Sequence, residues 1–117
     1  MREITTHKVN GCNDQITVHA VDGPGAGGAS HVYRVDGPTF TDEVRFQNGP
    51  IAAVGVNGTT HEVLLAIVRD RLAMFQAGPY SCEENGAALA AVESAIGHLH
   101  RRTLARLARG VEGTHAK

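Results

Sequence analysis

Apolar residues recur at Leu89, Val92, Ile96, Leu99, Leu104 and Leu107, three or four apart with one slip near Thr103. That period belongs to a helix that buries one face. Ser81-Cys82-Glu83-Glu84 precedes it as a capping box, in which a serine accepts from the backbone N–H three residues on and the glutamate there bonds back. Gly110 suits the C-terminal end, because only glycine enters the left-handed region without strain. The pattern predicts a helix over residues 82–109, roughly 40 Å long. A helix of that length overhangs any core that a 117-residue chain can build, so it is expected to pair with a second copy.

A shorter helix is predicted before it. Val63, Leu64, Ile67, Val68, Leu72 and Phe75 form its stripe, and Thr59-Thr60-His61-Glu62 offers a second capping box with either threonine as the cap. Its end is expected near Gln76, where Gly78-Pro79 stops it. Upstream the period changes to two. Residues 3–10 and 15–21 read as strands joined by a turn at Gly11-Cys12-Asn13-Asp14, and residues 31–35, 44–47 and 50–54 read as further strands. Asn48-Gly49 predicts a tight turn between the last two, and Gly55, Asn57 and Gly58 a second turn. Gly23-x-Gly25-x-x-Gly28 matches the dinucleotide fingerprint formally, but a strand pattern follows it where that motif needs a helix, so residues 23–30 read as a turn or lid.

The order is α+β: a small antiparallel sheet of about four or five strands over residues 1–58, then a long antiparallel helical hairpin with a C-terminal tail over residues 59–117. The two regions are expected to form one compact domain, homo-oligomeric, with residues 111–117 ordered only within an assembly.

Charge narrows the function. The formal net charge is −1, from 11 basic and 12 acidic residues, which argues against duplex DNA as a partner. No apolar run reaches membrane length and no secretory signal is evident, so a membrane is not expected either. Cys12 and Cys82 stand alone, as in a reducing compartment. None of the seven histidines has zinc spacing, and His98 and His100, two apart, diverge on a helix, so no metal is expected. No nucleophile stands beside a base.

The long helix carries a gradient: Glu83 and Glu84 at its start, Arg101, Arg102, Arg106 and Arg109 at its end. The helix dipole accounts for part of it. Arg102, Arg106 and Arg109 share a face, and guanidinium groups so clustered repel unless solvent or a bound anion relieves them. Phe75 at one side of the hairpin turn and Asn85 at the other read either as a closing core residue and a cap-region amide, or as a platform on which a base stacks while the amide bonds it. Asn85 and Arg102 lie about 25 Å apart along one helix, so they meet around one small ligand only if two helices pair antiparallel across a two-fold axis.

Several short motifs in one order resemble the phage Thoeris anti-defence protein 1 family. They are Phe46-Gln47-Asn48-Gly49-Pro50-Ile51, Gly55-Val56-Asn57-Gly58, Phe75-Gln76-x-Gly78-Pro79, Glu84-Asn85, Arg101-Arg102-Thr103, and the run from Ala108 to His115. The hairpin is similar to that of anti-CBASS sponge proteins. The resemblance implies a non-enzymatic sponge in the host cytoplasm, without a cofactor. It would bind cyclic ADP-ribose isomers made by bacterial TIR-domain enzymes and, as some members do, cyclic di- or trinucleotides in separate pockets. It implies oligomers from dimer to hexamer. It matches Phe75 and Asn85 to an adenine-contacting pair, Arg45 to a strand arginine that contacts phosphate or ribose, and Arg102 and Arg106 to helix arginines of the second pocket. The competing readings are a nucleic-acid or protein adaptor that uses the arginine-rich helix end, and an enzyme that cleaves the signal.

Overall fold

A computed structural model describes all 117 residues. The chain divides into two compact units, Met1–Thr59 and Thr60–Lys117. The first holds a four-stranded antiparallel meander, β1 (Arg2–Ile4), β2 (Thr17–Ala20), β3 (Val32–Asp36) and β4 (Thr41–Arg45), paired in sequence order. The second holds α3 (His61–Gln76) and α4 (Glu83–Ala108), packed as a hairpin. Two single helical turns, α1 (Gly11–Asp14) and α2 (Ile51–Val54), lie within the first unit.

Register sorts the sheet into two faces. Ile4 opposes Val18 and Val18 opposes Val35, while Ala20 opposes Tyr33 and Tyr33 opposes Val44, so one face is mostly apolar, with Arg2 and Asp42 on its edge strands. The other face carries Glu3, His19, Arg34 and Glu43 in one cross-strand row. Opposite charges directly across strands are favourable. Phe46, just past β4, meets the Tyr33 ring edge-on at 5.7 Å. Ala20, at 1% exposure, is the chain's only buried apolar residue. The sheet therefore covers little apolar surface for its size.

One expected strand is shorter than its pattern, and another is not a strand. Residues 3–10 pair only as far as Ile4, because the chain turns at once, Lys8 N reaching Thr5 O at 3.0 Å; Asn10 then caps α1, its carboxamide oxygen accepting from Asn13 N at 2.9 Å. Ile51–Val54, expected to return as a strand, is the helical turn α2. Pro50 stands before it with φ −73°, its carbonyl accepts from Ala53 and Val54, and Gly55 ends it at φ 73°. Proline has no N–H for a ladder but suits a helix start.

Residues 46–59 are held by side chains. Gln47 donates to Gly49 O at 3.2 Å and Gly55 O at 2.7 Å, and accepts from Asn57 N at 2.9 Å. Asn57 in turn bonds both backbone groups of Asn48 at 2.8 Å. Two of the short motifs in the sequence are thus the two halves of one loop clasp. Beyond it Gln47 N donates to Thr59 O at 2.9 Å and Thr59 N to Arg45 O at 2.7 Å, a parallel bridge that closes the unit.

Residues 23–30 contain a 3₁₀ turn (Ala26–Gly28) and lead into β3, with no helix after them. Asp22 governs their exit. Its carboxylate accepts from the backbone N–H of His31 and of Val32 at 3.0 Å. Those bonds, Val32's first, hold its pKa below the ordinary 3.8, and burial pushes the other way. Asp36 is likewise lowered, chiefly by the Arg34 bond at 2.8 Å and then by Thr41. Carboxyls lowered on folding add stability above 3.8, and that stability drains as pH falls through their folded values. The thermal midpoint is expected to fall as pH drops from about 5 toward 2, and Asp22→Asn to flatten that slope. A slope unchanged in the variant would place the acid sensitivity elsewhere.

The helical unit follows the sequence closely. Thr60 caps α3, its hydroxyl accepting from Val63 N at 3.3 Å. Arg69 and Glu93 pair at 3.0 Å across the hairpin and fix the register of α3 on α4. The cap of α4 differs by one residue from the expected capping box. Cys82, not Ser81, is the N-cap, and its sulfur receives Asn85 N at 3.4 Å. Ser81 N instead bonds Gly78 O, and Gln76 accepts from Cys82 N at 3.0 Å, so the turn fixes the cap position. No helix of the chain is long and apolar enough to cross a membrane.

Candidate functional site at the hairpin turn

The turn between α3 and α4 gathers four polar or aromatic groups. Phe75, in the last turn of α3, is 38% exposed, and Tyr80, in the loop, is 73% exposed. Their rings meet edge to face, 6.3 Å between centroids and 88° between planes. The Arg71 guanidinium carbon lies 5.3 Å from the Phe75 centroid. Arg71 precedes Phe75 by four residues, so the two share one face of α3.

Asn85 joins this group through Tyr80. Its carboxamide nitrogen donates to Tyr80 O at 3.3 Å, and its backbone N–H goes to Cys82. Its carboxamide oxygen is left to accept. The helix N-terminus beneath it adds partial positive charge, which Glu83 and Glu84 already compensate in part. Phe75 thus keeps 38% of its surface exposed, with Arg71 over its ring and Tyr80 edge-on to it, and the Asn85 carboxamide oxygen has no partner within the chain.

Chemically, an open aromatic face takes a planar base, an amide oxygen accepts from an exocyclic amine, and a guanidinium fork takes a phosphate. Sequence reasoning singled out Phe75 and Asn85 but missed Arg71 and Tyr80. The i, i+4 spacing of Arg71 and Phe75 was the available signal.

The arginine end of α4 is built differently from its expectation. Arg106 is buried, at 7% exposure. Its guanidinium donates to Glu112 at 3.1 Å, Val111 O at 2.9 Å, Thr114 O at 3.2 Å, and Ala116 O. Arg109 donates to Lys117 O at 2.7 Å. Of the three arginines on this face, Arg106 and Arg109 bond the chain's own carbonyls and one carboxylate, while Arg102 stays open to solvent. Residues 111–117, expected to order only in an assembly, order here within one chain. Gly110, at φ 71°, starts the reversal: its N–H reaches Leu107 O and Val111 N reaches Arg106 O, both at 3.0 Å. That bond pair is the Schellman end of a helix. Arg102, one turn earlier, is exposed and bonds nothing. Arg45, in β4, is exposed and pairs with Glu43 at 3.1 Å.

Residues 41–104 match the family described as Acb2/Tad1, hairpin domain. A relative, Thoeris anti-defense 1 of Bacillus phage SBSphiJ7, is 46% identical over 74 residues, which are 63% of this chain and 52% of the relative. The chain thus spans about half the length of that relative. The match covers the last strand, the loop clasp and nearly all of the hairpin, including Phe75 and Asn85. The chain belongs to the Acb2/Tad1 hairpin-domain family.

Proposed function

We propose that the chain is a phage anti-defence sponge. It captures cyclic ADP-ribose isomers in the host cytoplasm, withholds them intact, and so blocks Thoeris immunity. The observation that carries this reading is the partly exposed Phe75 ring at the hairpin turn, linked through Tyr80 to Asn85, whose carboxamide oxygen has no partner in the chain. The similarity to a protein named Thoeris anti-defense 1 supports it. Capture without turnover needs stacking, an amide and cationic groups, all of which the hairpin carries. Phe75 and Asn85 hold the adenine, Arg45 meets phosphate or ribose, and Arg102 serves a second pocket for cyclic di- or trinucleotides, which Arg106 joins only if the tail releases its guanidinium.

Assembly belongs to the same proposal. Val63, Ile67 and Met74, at i, i+4 and i+11 on α3, are 49%, 56% and 68% exposed. Leu104 and Leu107 near the end of α4 are 63% and 57% exposed. Apolar stripes of this kind are covered in homo-oligomers. Two hairpins paired antiparallel bring the Asn85 end of one α4 toward the Arg102 end of its partner, giving two composite sites per dimer.

The test is isothermal titration with cyclic ADP-ribose isomers, then heating of the complex and chromatography of what is released. Tight binding with the ligand returned intact is expected. An altered product would make the protein an enzyme, and no binding of any isomer would overturn the reading. Phe75→Ala is expected to weaken binding about 10- to 100-fold, the worth of one stacked base, without changing the oligomer by sedimentation. Unchanged affinity would remove Phe75 from the site.

A further inference from the structure

We infer that Arg71 is the anion-binding arm of the Phe75 platform, giving the site a base-and-phosphate pair on one helix face of one chain. The inference rests on the sponge reading and adds a residue to it. Arg71 is exposed, and its guanidinium lies over the Phe75 ring at 5.3 Å. It forms no hydrogen bond or ion pair, so all of its N–H donors are available.

The other arginines of the hairpin are differently engaged. Arg69 pairs with Glu93, Arg101 donates to His98 at 2.8 Å, and Arg106 and Arg109 hold the tail. Arg102 is also unbonded, but it lies about 25 Å along α4 from Asn85. Arg71 is thus the one uncommitted cation placed by direct contact at the turn.

Local charge makes such a cation necessary. The nearest part of α4 begins with Glu83 and Glu84, which repel an incoming phosphate. A neutral ligand would not need relief from them, and a diphosphate would. The guanidinium carbon rests 5.3 Å from the Phe75 centroid before ligand arrives, so it swings off the ring as a base takes its place and closes its fork on the phosphate joined to that base. The ligand class that fits is a planar base joined through ribose to a diphosphate.

The experiment titrates cyclic ADP-ribose isomers into the full-length chain at several salt concentrations, with Arg71→Met and Phe75→Ala beside it. Methionine keeps a side chain packed on the ring and removes only the charge and the fork. Arg71→Met is expected to weaken binding about 10- to 100-fold and to flatten the salt dependence, with helical content unchanged. Phe75→Ala is expected to weaken binding with the salt dependence kept. Affinity unchanged in Arg71→Met overturns the inference. Weakened affinity with an unchanged salt slope also overturns it, because Arg71 would then only support the ring. No binding by the unsubstituted chain overturns the sponge reading and this inference with it.

Discussion

Gly58→Ala is expected to lower stability by about 3 kcal/mol, the upper end of overpacking costs. A Cβ built at Gly58 falls 2.6 Å from Gln47 N and closer still to the Phe46 carbonyl carbon. These obstacles are backbone atoms, so no rotamer change relieves them. They belong to the bridge that closes the first unit, where Gln47 N meets Thr59 O and Thr59 N meets Arg45 O. Alanine must therefore push Phe46 and Gln47 away from Thr59, and the Gln47–Asn57 clasp moves with them. Urea unfolding of the variant measures the loss. Gly11→Ala is the control, since nothing lies within 4 Å of its Cβ position. Equal midpoints for the two variants would mean that the clasp yields without cost.

Arg106→Ala is the second large effect, about 2 to 3 kcal/mol, with loosening of residues 111–117. The buried guanidinium makes four hydrogen bonds, three to tail carbonyls and one to Glu112. Without it those acceptors must turn to water, which they reach by releasing the tail. That release caps the loss below the cost of a fully buried orphan. Amide hydrogen exchange reads the effect directly: Ala116, whose N–H is held by the Thr114 hydroxyl at 3.2 Å, should lose protection. Val111 N, bonded to the Arg106 backbone carbonyl, should lose less, because the Schellman turn does not need the side chain. Arg106→Lys should restore little, since an ammonium cannot replace a planar fork. Arg102→Ala should leave stability unchanged, because Arg102 is exposed and forms no hydrogen bond or ion pair within the chain. Equal effects at positions 102 and 106 would show that the tail does not depend on the clamp.

The elements that a simple period describes were legible in the sequence. The predicted helix over residues 82–109 is α4 with both its caps, and the stripe from Val63 to Phe75 is α3. The misreadings fall where a side chain redirects the backbone. The Thr5–Lys8 turn cut short the first predicted strand, and Pro50 made a helical turn from a short apolar run that reads equally as strand or helix. Cys82 took the capping place because Gln76, from the other helix, holds its N–H; no local pattern reports that bond. At the candidate site, Phe75 and Asn85 were visible as residue types near a turn. Tyr80 became relevant only once its ring and its carbonyl were seen to link them. The arginine cluster was visible as three cations on one face, but the partners of Arg106 and Arg109 were not, because a sequence shows side chains and most of those partners are carbonyls.

The Arg106 clamp also bears on how this chain would diverge among relatives. The family match ends at residue 104, two positions short of the clamping arginine. Three of the four acceptors that Arg106 grips are carbonyl oxygens, which every amino acid supplies. The tail can therefore exchange nearly all its side chains and keep the same fastening, provided that Gly110 still turns the chain and the path length is kept. A shortened protein cut at residue 104, where the family match ends, would lose the fastening that closes its longest helix.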